Sequence, residues 1–114
     1  MRKILAVMAL IALTGCTTPG DLKQNDPTIS ATSKKSPKQY ALCVFPKWQE
    51  KRSTSTMSET ENGYRLIVAS DMMTDELLEI VDSGTASKIE LYQRMPWSKM
   101  WGRGAIEDAV RSCL

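Results

Sequence analysis

Three cysteines, Cys16, Cys43 and Cys113, carry the most reactive side chains of these 114 residues, and no histidine is present to work with them. A nucleophilic thiol needs a base to make its thiolate, and imidazole is the usual one. Two Cys without His also make a poor zinc site. Histidine acid/base catalysis is excluded outright. A second concentration is acidic: Asp71, Asp75, Glu76 and Glu79. Paired carboxylates can hydrolyse glycosides, but nothing in this spacing distinguishes them from a solvated loop. A third is Met95-Pro96-Trp97-Ser98-Lys99-Met100-Trp101. Trp and Met are enriched at the cores of protein interfaces, so Met95, Trp97, Met100 and Trp101 are the candidate partner-binding residues. The alternative is that Trp97 and Trp101, four apart, cap a hydrophobic core where strand meets helix. No Gly-rich phosphate loop, GxSxG or nucleic-acid motif occurs.

The amino terminus says where these residues work. Arg2 and Lys3 precede an unbroken apolar run, Ile4 to Leu13. Ten residues are too few to span a bilayer, which takes about 20, but suit the apolar region of a secretory signal. Leu13-Thr14-Gly15-Cys16 follows and resembles the lipobox of bacterial lipoproteins at all four positions. The resemblance implies that residues 1–15 are a signal peptide. The Cys16 thiol would receive a diacylglyceryl group, signal peptidase II would cut before it, and the new amino terminus would be acylated. One chain anchors marginally; several anchor firmly, at about 0.8 kcal/mol per buried CH₂. No other cofactor is implied. In that family an Asp after the Cys favours the inner membrane; Thr17 here implies the outer membrane. Whether the domain faces periplasm or exterior stays open.

Removing the signal changes the composition. It holds 11 of the apolar residues, and without Arg2 and Lys3 the 15 basic side chains fall to 13, equal to the 13 acidic ones. A balanced charge gives no basic surface for nucleic acid.

Residues 16–36 read as a lipidated start and a disordered tether. They are rich in Ser, Thr, Pro, Asn and Lys, without helical or strand periodicity. Such a tether reaches on the order of 25 Å. Lys34, Lys35 and Lys38 could touch anionic headgroups, although a solvated charge run is the ordinary explanation. All aromatic residues lie beyond position 37, so residues 37–114 are the folded domain.

Ser36-Pro37 suits a helix start, and Tyr40, Ala41, Val44, Phe45 and Trp48 repeat at helical spacing. Pro46 predicts a kink or an early end. Residues 54–60 read as an edge strand. Asn62-Gly63 predicts a type I′ turn, which sets Glu59 opposite Leu66 and Met57 opposite Val68. Tyr64, Leu66 and Val68 alternate as a strand, residues 71–75 are a polar connection, and strands follow at 77–81 and 88–94, turned at Ser83-Gly84. Ala105, Ile106, Ala109, Val110 and Cys113 form the stripe of a last helix, with Glu107, Asp108 and Arg111 off it. The expected fold is α+β: an N-terminal helix, a four-stranded antiparallel meander and a C-terminal helix, both helices on one face.

An exported chain meets an oxidising compartment, where an even pair of cysteines usually bonds. With Cys16 acylated, Cys43 and Cys113 are that pair. Cys43 and Trp48 in a first helix, Gly63-Tyr64 opening a strand and a late Cys113 are similar to small enterobacterial lipoproteins of the YbfN-like group. That group carries no established catalytic residues. The expected function is a membrane-anchored, non-enzymatic module that binds or assists an envelope protein. The alternative is an inhibitor or exclusion lipoprotein that blocks a hydrolase, phage or conjugation machine.

Overall fold

Ser36 opens the first long helix as its sequence suggests. Its Oγ accepts a hydrogen bond from the Gln39 N–H while Gln39 Oε1 accepts one from the Ser36 N–H, each 3.2 Å. This reciprocal cap satisfies two of the donors that a helix start leaves free. The computed structural model describes residues 17–71, 73–98 and 102–114. In chain order they form α1 (Pro19–Leu22), β1 (Ile29–Ser33), α2 (Pro37–Lys51), β2 (Ser55–Thr60), β3 (Gly63–Ser70), β4 (Met73–Asp82), β5 (Ser87–Gln93) and α3 (Arg103–Ser112).

The domain is α+β. Five antiparallel strands lie in the order β1-β5-β4-β3-β2. Tyr40, Ala41, Val44 and Trp48 of α2, with Ile106, Ala109 and Val110 of α3, pack with Leu66, Val68, Leu78, Ile80, Ile89 and Leu91 in one buried cluster. Both long helices therefore cover one face. Two buried donors are satisfied across them: Tyr40 Oη donates to the Val110 carbonyl at 2.6 Å and Trp48 Nε1 to the Ile106 carbonyl at 3.1 Å.

The sheet has one strand more than the meander expected, and it comes from the presumed tether. β1 pairs with β5 from Ile29 opposite Leu91 to Ser33 opposite Ser87. Only Ile29 gives its inner face a large apolar side chain; Ser33, at the strand's other end, is buried and donates to the Leu114 carbonyl at 3.0 Å. Residues 17–22 of the presumed tether are also fixed. Thr18 caps α1, Leu22 packs on Leu77 and Tyr92 on the sheet's other face, and the Thr74 N–H donates to the Thr17 carbonyl at 2.8 Å. Chain entropy is overcome here by backbone pairing and by burial of Leu22.

Four local expectations also shift. α2 runs through Pro46 to Lys51. Pro46 and Leu42 are both exposed, so the Leu42 carbonyl that loses its partner faces water. The β2–β3 turn is centred on Glu61 and Asn62, with Thr60 opposite Gly63 and Met57 opposite Leu66. Gly63 serves a close approach instead of a positive φ, because a Cβ there would collide with the Ile80 carbonyl of β4. β4 begins at Met73, not Leu77, after a tight turn at Asp71, whose φ is 30°. In α3, Glu107 is buried instead of lying off the stripe. Gly102 does mark the start of α3, in the left-handed region at φ 79°.

Candidate functional site

β4 changes character along its length. Leu77, Leu78 and Ile80 are fully buried apolar residues, yet Asp75 (3 % exposed) and Glu76 (0 %) precede them at the same depth. A buried carboxylate is tolerated only with partners. The backbone helps to provide them. Thr74 lies opposite Ala69 and Glu76 opposite Val68, so Asp75 is the extra residue of a β-bulge, a device that re-aims a side chain.

Asp75 gathers cations from three elements. Its Oδ2 accepts from Arg52 Nη2, just past α2, at 2.9 Å and from Ser70 Oγ at 2.8 Å. Its Oδ1 accepts from Arg94 Nε at 3.0 Å, with Arg94 Nη2 at 2.8 Å. Arg103 Nη2, at the start of α3, stands 3.9 Å away. Glu76 faces Arg103 Nε at 3.0 Å and accepts from Gln93 Nε2 at 2.8 Å. The Glu76 Oε1 to Arg103 Nε contact is an ion pair outside hydrogen-bond alignment. Arg103 Nη1 donates to the Met95 carbonyl at 2.5 Å. Three guanidiniums thus surround two adjacent carboxylates.

The two carboxyls titrate in opposite directions. Burial raises Asp75, but hydrogen bonds from Arg52, Ser70 and Arg94 outweigh it and hold its pKa below the ordinary 3.8. Burial dominates at Glu76 and pushes it up to about 7, against the Gln93 hydrogen bond and the Arg103 charge. Divergent neighbours of this kind can mark an acid/base pair. Access argues otherwise. A cleft of about 500 Å³ is lined by Lys51, Arg52, Ser70, Asp71, Asp75 and Arg94. Asp75 spends both oxygens on Arg52, Ser70 and Arg94, and Glu76 is fully enclosed. The arrangement braces the end of α2, β4, β5 and the start of α3, and it fastens the loop after β5.

That loop carries the residues singled out by sequence. Trp97 is 78 % exposed and caps no core; Met95 is half-buried, its carbonyl held by Arg103. Met100, Trp101 and Cys16 lie outside the described residues. Cys43 and Cys113 are bonded, S–S 2.06 Å and Cα–Cα 5.9 Å. Of the four carboxylates read as solvated, Asp75, Glu76 and Glu79 are buried in β4 and Asp71 alone is exposed. Glu79 pairs with Arg65 at 2.6 Å. Sequence reasoning missed Arg52, Gln93, Arg94 and Arg103 altogether. Among the described residues no group of three or more Cys, Asp or Glu is placed to hold a metal ion. No protein-family model matches the chain, and neither a curated protein nor a solved structure matches it.

Proposed function

We propose that this protein is a lipid-anchored, non-enzymatic module of the bacterial envelope, attached through Cys16 to the outer membrane and acting by contact. The observation that carries the contact reading is Trp97: a large apolar side chain held out in water, on a loop whose base is clamped by Arg94 to Asp75 and by Arg103 to the Met95 carbonyl. A rigid base under an exposed aromatic lowers the ordering cost of binding. Met95 and Trp97, with Met100 and Trp101, are the residues we assign to the contact. The Cys43–Cys113 bond supports an oxidising compartment. The saturated Asp75 and enclosed Glu76 support binding over turnover.

The test is photo-crosslinking in cells from an unnatural residue at position 97 of the full chain, with Cys16→Ala beside it and acyl-chain labelling of both. The expected result is acylation and a defined adduct, both lost in Cys16→Ala. An unacylated Cys16 or a chain without an adduct from position 97 overturns the reading.

A further inference from the structure

The register of the sheet gives the domain two poles. One gathers the end of α2 at Lys51, the β3–β4 turn at Asp71, the start of β4 and the loop after β5; Glu76 opposite Gln93 and the Arg94 N–H donating to the Asp75 carbonyl tie these together. The other gathers Lys34 to Pro37, the β2–β3 turn, the β4–β5 turn and Leu114, joined by the Asp82 N–H to the Asn62 carbonyl, Ser87 Oγ to the Lys35 carbonyl and Ser33 Oγ to the Leu114 carbonyl.

Thr17 belongs to the first pole, because its carbonyl accepts from the Thr74 N–H. From Thr18 onward the chain is capped into α1 and held by Leu22, which is 2 % exposed. Cys16 is bonded directly to Thr17, so its acyl groups leave no spacer between bilayer and domain. Met73 (38 % exposed) and Trp97 (78 %) are two of the four exposed large apolar side chains among the described residues, and both sit at this pole. Lys51 is exposed there, across the cleft from the exposed Asp71; Arg52 and Arg94, half-buried along it, are already engaged by Asp75, so Lys51 is the cation offered to lipid. Apolar and aromatic side chains with flanking cations are what a membrane interface takes up. The Lys34, Lys35 and Lys38 group lies at the far pole, where Lys35 Nζ is engaged by the Cys113 carbonyl at 2.6 Å.

The geometry points to the anchoring bilayer itself, with anionic headgroups, as the partner of this pole: Thr17 holds the domain flush on the membrane, Met73 and Trp97 enter the interface, and Lys51 meets lipid phosphate. The inference rests on the acylation of Cys16 proposed above and names the partner of the Trp97 surface. Docking is then nearly intramolecular, so weak contacts suffice.

The acylated full chain is reconstituted in vesicles of phosphatidylethanolamine with phosphatidylglycerol as minor lipid, the acyl chains brominated to quench indole on contact. Trp48 is fully buried, and the emission lost on Trp97→Phe reports position 97. Most of that emission is expected to be quenched. Lys51→Gln shifts the docked-to-undocked ratio about fivefold, and omitting phosphatidylglycerol weakens docking likewise; Lys34→Gln, at the far pole, leaves it unchanged. A chain that floats with the vesicles while Trp97 stays unquenched overturns the bilayer assignment, leaves the anchor standing and gives the loop to a protein partner. Lys34→Gln acting as strongly as Lys51→Gln also overturns it. A chain that does not float overturns the anchor and this inference together.

Discussion

The two ends of α3 are held by opposite kinds of chemistry. At its C-terminus the Cys113 sulfur is bonded to Cys43 of α2 across 70 residues of sequence. At its N-terminus Arg103, 99 % buried in its side chain, is held by Glu76, Asp75 and the Met95 carbonyl. The mechanical task is the same: keep a ten-residue helix seated on the sheet. The dependence on conditions differs. A sulfur–sulfur bond ignores protons and dielectric and yields to a reductant. The ionic brace ignores reductant and depends on charge. The end beside the exposed Trp97 is the one whose tightness is electrostatic, and the far end is covalent.

Breaking the covalent end should cost the most. Cys43→Ser with Cys113→Ser restores to the unfolded chain the freedom of a 70-residue loop, on the order of 4 kcal/mol in the loop-entropy picture. Urea denaturation of the double variant against the oxidised chain measures it, and a difference below about 1 kcal/mol would mean that the ionic brace alone seats the helix. Breaking the brace comes next. Asp75→Asn keeps the volume and leaves Arg52, Arg94 and Arg103 without their shared anion. Removing one partner of a buried ion pair costs about 3–5 kcal/mol; partial exposure of Arg52 and Arg94 (14 % and 25 %) lowers the expectation to about 3 kcal/mol. The loss should be equal in reduced and oxidised chains, since the two ends share no partner.

pH separates the ends without a variant. Glu76 binds its proton more tightly folded than unfolded, its pKa rising from 4.5 to about 7. Its contribution to stability is therefore full below about pH 4.5 and is lost as pH rises toward 7. Asp75 runs the other way: its pKa lies below 3.8, so its contribution is present above that value and is lost as the solution becomes more acid. The chain should thus lose about 1–3 kcal/mol between pH 4.5 and 7 through Glu76. Glu76→Gln should flatten that limb, while the double serine variant keeps it. A wild-type profile that is level from pH 4.5 to 7 would remove the asymmetry between the ends.

The covalent end was legible in the sequence because it depends on residue type: two cysteines left over in a chain whose amino terminus reads as an export signal. The cap at Ser36 and the stripe of Ile106, Ala109, Val110 and Cys113 were legible for a similar reason, since each is local and periodic. The brace was not. Asp75 meets Arg52 and Arg94 at separations of 23 and 19 residues, and a carboxylate in isolation reads as solvated. Glu76 opposite Gln93 exists only through strand register. β1 was missed because Ala31 and Ser33 give its inner face no strong alternation; pairing with β5 makes it a strand. Asn62-Gly63 misled for a different reason: the glycine answers a crowded Ile80 carbonyl on the neighbouring strand.

The smallest expected stability effect belongs to the residue with the largest expected functional one. Trp97→Ala removes a side chain that is 78 % exposed and forms no part of the buried cluster beneath the helices. Its unfolding free energy, measured by urea denaturation, should change by no more than about 0.5 kcal/mol in oxidised and reduced chains alike. Met95→Ala leaves the carbonyl that Arg103 grips in place, so it too should leave the brace intact, at a modest cost for a half-buried side chain. If Trp97→Ala instead unfolds the chain by 2 kcal/mol or more, the indole is a structural cap after all. The ionic end of α3 would then be sealed by an aromatic lid, and the contact surface would have to be sought elsewhere. If stability holds while an adduct from a photoreactive residue at position 73, exposed at the same pole, disappears, the indole at the electrostatic end is kept for contact, and the brace beneath it is what keeps it presented.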